Sequence, residues 1–207
     1  MPNTAGPALE IYVHLQDARI VRFAQTEAGL AQEILDHIQP GKFFTQHHFV
    51  IGGDQSMTAF RCASVVRIDF VTDYVPEWPF HYGAKSIQEI SEGEYRERYR
   101  PDLHTGRVVP ATDTEGLSVV YSELELVNGE RVFFEVHVDR STPDGTPMLR
   151  LDQSLFVQQL FTSGGLYGRR RGSGILLLNP GSIVRMAFYP GPSETPAGAW
   201  PAHRLRD

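Results

Sequence analysis

Seven residues a third of the way along the chain, Ser64–Phe70 (SVVRIDF), return near its end as Ser182–Phe188 (SIVRMAF), and any fold must accommodate both copies. The echo is wider than these seven. Sliding 43–70 forward by 118 positions lays it on 161–188, with Phe43/Phe161, Ser64/Ser182, Val66/Val184, Arg67/Arg185 and Phe70/Phe188 identical. Composition alone would give roughly one or two such matches. At an offset of 111, Leu15, Val21 and Phe23 meet Leu126, Val132 and Phe134, and Asp17-Ala18 meets Asn128-Gly129, turn on turn. At 122, Ile34, Leu35 and Ile38 meet Phe156, Val157 and Leu160. The offsets change near Pro40-Gly41 and within 141–147, in loop-like stretches that tolerate insertion. The expectation is an α+β fold: an internal duplication of a ββαββ unit, mainly antiparallel sheet with one helix per repeat and a partly helical connector. The expected divisions are 1–73 for the first repeat, 74–116 for the connector, 117–190 for the second repeat and 191–207 for a proline-rich tail, the repeats joining in one compact domain.

Local patterns supply the elements. Ile11, Val13 and Leu15 alternate, as do Val21 and Phe23, predicting a hairpin over 10–23 with Tyr12, His14 and Arg22 on its other face. Its turn, Gln16-Asp17-Ala18, lacks the glycine that Val127-Asn128-Gly129 has. Thr26 is a candidate cap for a helix to about Ile38, with Leu30, Ile34, Leu35 and Ile38 on one face and Pro40-Gly41 as its stop. Strands are expected near 47–51, 57–60 and 65–71. In the connector, Ser91–Glu94 reads as a capping box opening a short helix to about Arg98, and Trp78 and Phe80 are expected to be buried. The spacing predicts a second hairpin over 119–138 and a second helix capped by Asp152, with Leu155, Phe156 and Leu160 inward.

The chemistry-bearing stretch is Gly164–Gly174, where Tyr167 and Arg169, Arg170 and Arg171 sit among five glycines. Glycines let amides approach an anion, and guanidinium groups grip phosphate or carboxylate in pairs. A neighbouring ring can stack on a base. The same stretch also reads as a soluble hairpin tip. It is not a P-loop, since no G-x-x-x-x-G-K-[ST] occurs. His47 and His48 are adjacent on a strand and point to opposite faces, and the remaining histidines lack ligand spacing, so no metal or other cofactor is expected. The single cysteine, Cys62, reads as a small buried hydrophobe. His14, Glu123, Glu125, Glu135 and His137 sit on hairpin outer faces, which read as solvated. Arg67 and Arg185 recur on the last strand of each unit, where each can tie the sheet to a carboxylate.

A net charge of −6 argues against bulk binding of nucleic acid or anionic membrane. With no leader-like or membrane-length apolar run, a cytoplasmic location is expected. Three function classes follow. The first is a non-catalytic interaction or scaffold protein, with a protein partner or a second copy of itself. The second binds nucleic acid or a phosphate ligand through the arginine tip. The third is an enzyme with a novel site between the repeats.

Overall fold

The computed structural model describes residues 6–53, 56–80, 84–98, 111–112, 118–138, 161–189 and 200. In order these form β1 (Leu9–Leu15), β2 (Ile20–Gln25), α1 (Ala28–His37), the 3-10 turn η1 (Pro40–Thr45), β3 (His48–Gly52), β4 (Met57–Arg61), η2 (Cys62–Ser64) and β5 (Val65–Val71). Then come β6 (Ala84–Ile90), α2 (Glu92–Arg98), β7 (Ala111–Thr112), β8 (Ser118–Leu126) and β9 (Arg131–Val138). The chain closes with β10 (Leu166–Arg169), β11 (Ile175–Leu178), η3 (Pro180–Ser182) and β12 (Ile183–Tyr189). One sheet runs β12-β8-β9-β6-β10-β11-β5-β1-β2, with β7 also paired to β8, while β3 and β4 form a separate two-stranded sheet. Among the described residues all its strand pairings are antiparallel except β6–β10, so the sheet is mixed.

This corrects the expected architecture. The described residues are mostly β, and they do not form one ββαββ unit written twice with a helix in each. The halves do share a pairing order, β2-β1-β5 and β9-β8-β12, and matching turns η2 and η3. They then part: β3–β4 stands apart, whereas β10–β11 is built into the main sheet beside β5. The segment after Tyr74 is not a bridge laid across one half, because it supplies β6, an interior strand between β9 and β10. The helix expected from Asp152 to Leu160 lies outside the described residues, as does the tail apart from Trp200.

The sheet curls. Arg67 of β5 donates to Glu130, at the start of β9, at 3.0 Å. Four strand steps separate β9 from β5, about 19 Å in a flat sheet. Two long side chains cannot span that, so the strands bend around an apolar interior. Leu124, Leu126, Val132, Phe134, Val136, Leu166, Leu176 and Leu178 fill it. The other face, at the β5-β1-β2 end, packs Ile11, Val13, Ile68, Phe70, Ile175 and Leu177 under α1 and the β3–β4 hairpin. β11 serves both cores, and its four residues Ile-Leu-Leu-Leu are all buried. A strand covered on both faces reads as a continuous apolar run.

Several local expectations survive in detail. Ser91 and Glu94 make the capping box: Glu94 N donates to Ser91 Oγ at 3.1 Å and Ser91 N to Glu94 Oε2 at 2.7 Å. Trp78 and Phe80 are half-buried against the second core. Others shift. α1 starts after Glu27, without a side-chain cap, and buries Ala31 and Leu35, leaving Leu30 and Ile34 exposed. Cys62 is buried at the start of η2, where Asn179 Nδ2 donates to its carbonyl at 3.2 Å and to that of Val65 at 2.8 Å.

Candidate functional site: an arginine-lined groove over a buried charge cluster

On β5 the charged residues Arg67 and Asp69 alternate with apolar ones, yet both are buried, at 6% and 4% exposure. Register explains the placement. Arg67 lies between His14 of β1 and Leu178 of β11, and Asp69 between Tyr12 and Leu176. The leucines belong to the curled core, so the charges continue that face of the sheet where its apolar lining stops. Arg67 places Nε 2.5 Å and Nη2 3.1 Å from the two Asp69 oxygens, a bidentate pair. It also reaches Glu89 of β6 at 2.7 Å and Glu130 at 3.0 Å. His14 lies between Asp69 (3.4 Å) and Glu130 (3.7 Å). Burial opposes ionisation of Asp69, but His14 and Arg67 outweigh it and hold the carboxyl below the usual aspartate range.

The glycine–arginine tip closes over this cluster. Arg170 Nε lies 3.3 Å from Asp69, and the Arg171 amide donates to Glu89 at 3.0 Å. The amide expected to meet an anion does so, but the anion is the chain's own carboxylate. Arg171 Nε stands 3.5 Å from Glu94, and Arg169 is exposed and forms no ion pair among the described residues. Tyr167 is not displayed beside the arginines. Its side chain lies on the sheet face away from the Arg67–Asp69 cluster, stacks on Phe80 (5.0 Å, 15°) and donates its hydroxyl to the Trp78 carbonyl, and burial pushes its pKa up. Gly164 and Gly165 serve close packing on η1. Gly164 N donates to Gly41 O at 2.9 Å, Phe44 N donates back at 2.6 Å, and a Cβ on Gly165 would fall on the Pro40 carbonyl.

Between the tip and β9 runs an open groove of about 920 Å³. Its charged lining is Arg67, Arg131, Arg170 and Arg171 against Glu89 and Glu92, with Ser91 between. The carboxylates of Asp69, Glu94, Glu123 and Glu130 pair with the same arginines from just outside this lining. Arg131 crosses to Glu92 (3.0 Å) and Glu123 (2.7 Å). Glu123 also takes Arg185 at 2.6 Å, and these arginines lower its pKa although its burial pulls the other way. Glu123 and Glu135 are therefore not on a solvated face: Glu123 is 4% exposed, and Glu135 pairs with Arg98 and with His137 at 3.0 Å, while Glu125 keeps 41% of its side chain exposed.

Sequence reasoning found Arg67, Arg170 and Arg171 but missed Asp69, Glu89, Glu130 and Arg131. For Asp69 a signal existed, since two opposite charges two apart in an otherwise apolar strand predict an internal pair. The others arrive from distant segments, and nothing local marks them. No helix among the described residues is long and apolar enough to cross a membrane. No protein-family model, curated protein or solved structure matches the chain.

Proposed function

We propose that this chain is a non-catalytic interaction protein that holds an acidic segment of a protein partner in the groove between Arg131 and the Arg170–Arg171 tip. The observation that carries this reading is the gathering of four arginines on one groove of an acidic chain, two of them on its open rim. Its arginines are also available. Arg171 and Arg131 keep 63% and 41% of their side-chain surface exposed, and their partners Glu94 and Glu92 are similarly open, while Arg131's second partner, Glu123, is buried and is also held by Arg185. Exposed pairs of this kind are worth about 0–1 kcal/mol, so a partner carboxylate can displace them at little cost. Arg67 is different. Buried and fully paired, it props the groove floor and is not offered to a ligand. His14, held between two carboxylates, is a member of this scaffold and not a base facing a substrate.

The test is binding of a fluorescent polyglutamate peptide and of a single-stranded oligonucleotide, each followed by anisotropy against salt. Peptide binding that weakens with salt, and that is lost in the Arg131→Glu/Arg171→Glu double variant, is the expected result. Oligonucleotide binding without peptide binding would turn the groove over to the nucleic-acid reading. Peptide binding unchanged in the double variant would remove the groove from the account.

A further inference from the structure

We infer that β2 is a self-association edge, along which a second copy of this chain extends the main sheet by antiparallel β2–β2 pairing about a twofold axis at Phe23. β2 ends the strand order, and among the described residues nothing pairs with its outer side. A free strand edge is a template for another strand unless it is guarded by proline, inward charge, a bulge or a covering segment. This edge has no proline and no bulge, and its one charge, Arg22, is drawn back over the sheet, 5.3 Å from the Tyr12 ring. The far edge, β12, differs. It carries a register break between Ile183 and Arg185, and Phe188 and Tyr189 have further partners.

The register follows from the backbone. Leu15 N donates to Arg19 O at the hairpin mouth, and bonded pairs then alternate up the ladder through Val13–Val21, Ile11–Phe23 and Leu9–Gln25. The N–H and C=O groups of Ile20, Arg22 and Ala24 therefore point outward. In a continuous twofold sheet, facing residues must lie on the same face, so the axis must pass through a residue. An axis at Arg22 would set two arginines directly opposite, an unfavourable pair. An axis at Phe23 sets Phe23 against its mate, in the close non-bonded position, and lets Arg22 and Ala24 exchange both backbone bonds across the interface.

The flank of α1 fits the same partner. Leu30 and Ile34, one turn apart, are 42% and 36% exposed beside the buried Ala31 and Leu35. The opposite flank carries Asp36, which accepts from Tyr74 at 2.6 Å on the β5 side. Leu30 and Ile34 thus lie toward the β2 edge, where α1 leans on β2, and extend the apolar face on which Phe23 sits at the twofold.

The test is mass in solution by light scattering over a range of protein concentrations, together with site-resolved amide exchange. The wild type is expected at twice its monomer mass, falling on dilution, with Arg22 and Ala24 amides protected only in the dimer. Ala24→Pro removes one outward donor and leaves the β1 ladder intact. It should give a monomer with an unchanged circular dichroism spectrum, and Ile34→Lys a dimer weakened at least tenfold. Should Ala24→Pro fail to fold, the exchange data on the wild type decide alone. A wild type that stays monomeric at high concentration, a dimer whose Arg22 and Ala24 amides exchange freely, or open-ended polymers would each overturn the inference.

Discussion

β5 and β12 carry the repeated motif, identical at Val66/Val184, Arg67/Arg185 and Phe70/Phe188, and live in different surroundings. β5 lies inside the sheet, paired to β1 on one side and β11 on the other, whereas among the described residues β12 pairs only with β8. Val66 is fully buried in β5, while its counterpart in β12, Val184, is 62% exposed. Their arginines show the contrast most clearly. Arg67 is buried and meets Asp69, Glu89 and Glu130, whereas Arg185 keeps 36% of its side chain exposed and meets Glu123 and Glu125. At the place of Asp69, β12 has Ala187. One motif thus yields a groove floor in one setting and a sheet margin in the other, because an ion pair depends on which strands bring its partners and how much water is left.

The largest test of this contrast is removal of each arginine. Arg67→Met leaves three carboxylates facing one another in a buried site and should cost about 3–5 kcal/mol in urea unfolding. Arg185→Met breaks half-exposed pairs and leaves Glu123 with Arg131, so about 1 kcal/mol or less is expected. Equal costs would erase the distinction between the two strands.

Acid sharpens it next. Asp69 is held below its unfolded-state value, so its contribution is complete above about pH 4–5 and is lost as pH falls through the lower folded value. In Asp69→Asn the slope of stability against pH should flatten below about pH 4, where an ordinary aspartate titrates. A slope identical to wild type would show that the buried pair carries no such linkage. Because β12 has no acid at this place, Ala187→Ser should leave the slope unchanged.

The smallest effects lie in the two hairpin turns, which share a geometry. Leu15 N donates to Arg19 O and Ala18 N to Leu15 O, and Leu126, Glu130 and Gly129 repeat the pattern. The left-handed residue is Ala18 (φ 65°) in one turn and Gly129 (φ 83°) in the other. A side chain there costs about 1–2 kcal/mol, partly offset by the greater freedom glycine has when unfolded. Gly129→Ala, with open space around its Cβ, should therefore destabilise by about 1 kcal/mol, and Ala18→Gly should stabilise by about 0.5 kcal/mol. Thermal melts of the two variants moving in the same direction would contradict the shared geometry.

What the chain declares locally is its strands, its turns and the Ser91–Glu94 cap, because alternation, capping and turn chemistry are written within a few residues of where they act. Even the matching turns 111 residues apart were legible before any fold was known. Which strands become neighbours was not legible. The β10–β11 hairpin enters the main sheet while β3–β4 stays out, and β6 lies between β9 and β10, through pairings that link residues far apart in the chain and leave no local trace. The buried cluster depends on those pairings. Arg67 and Asp69 are adjacent on one strand face, but Glu89 and Glu130 reach them only because the sheet curls, and so the groove above them belongs to the tertiary structure alone.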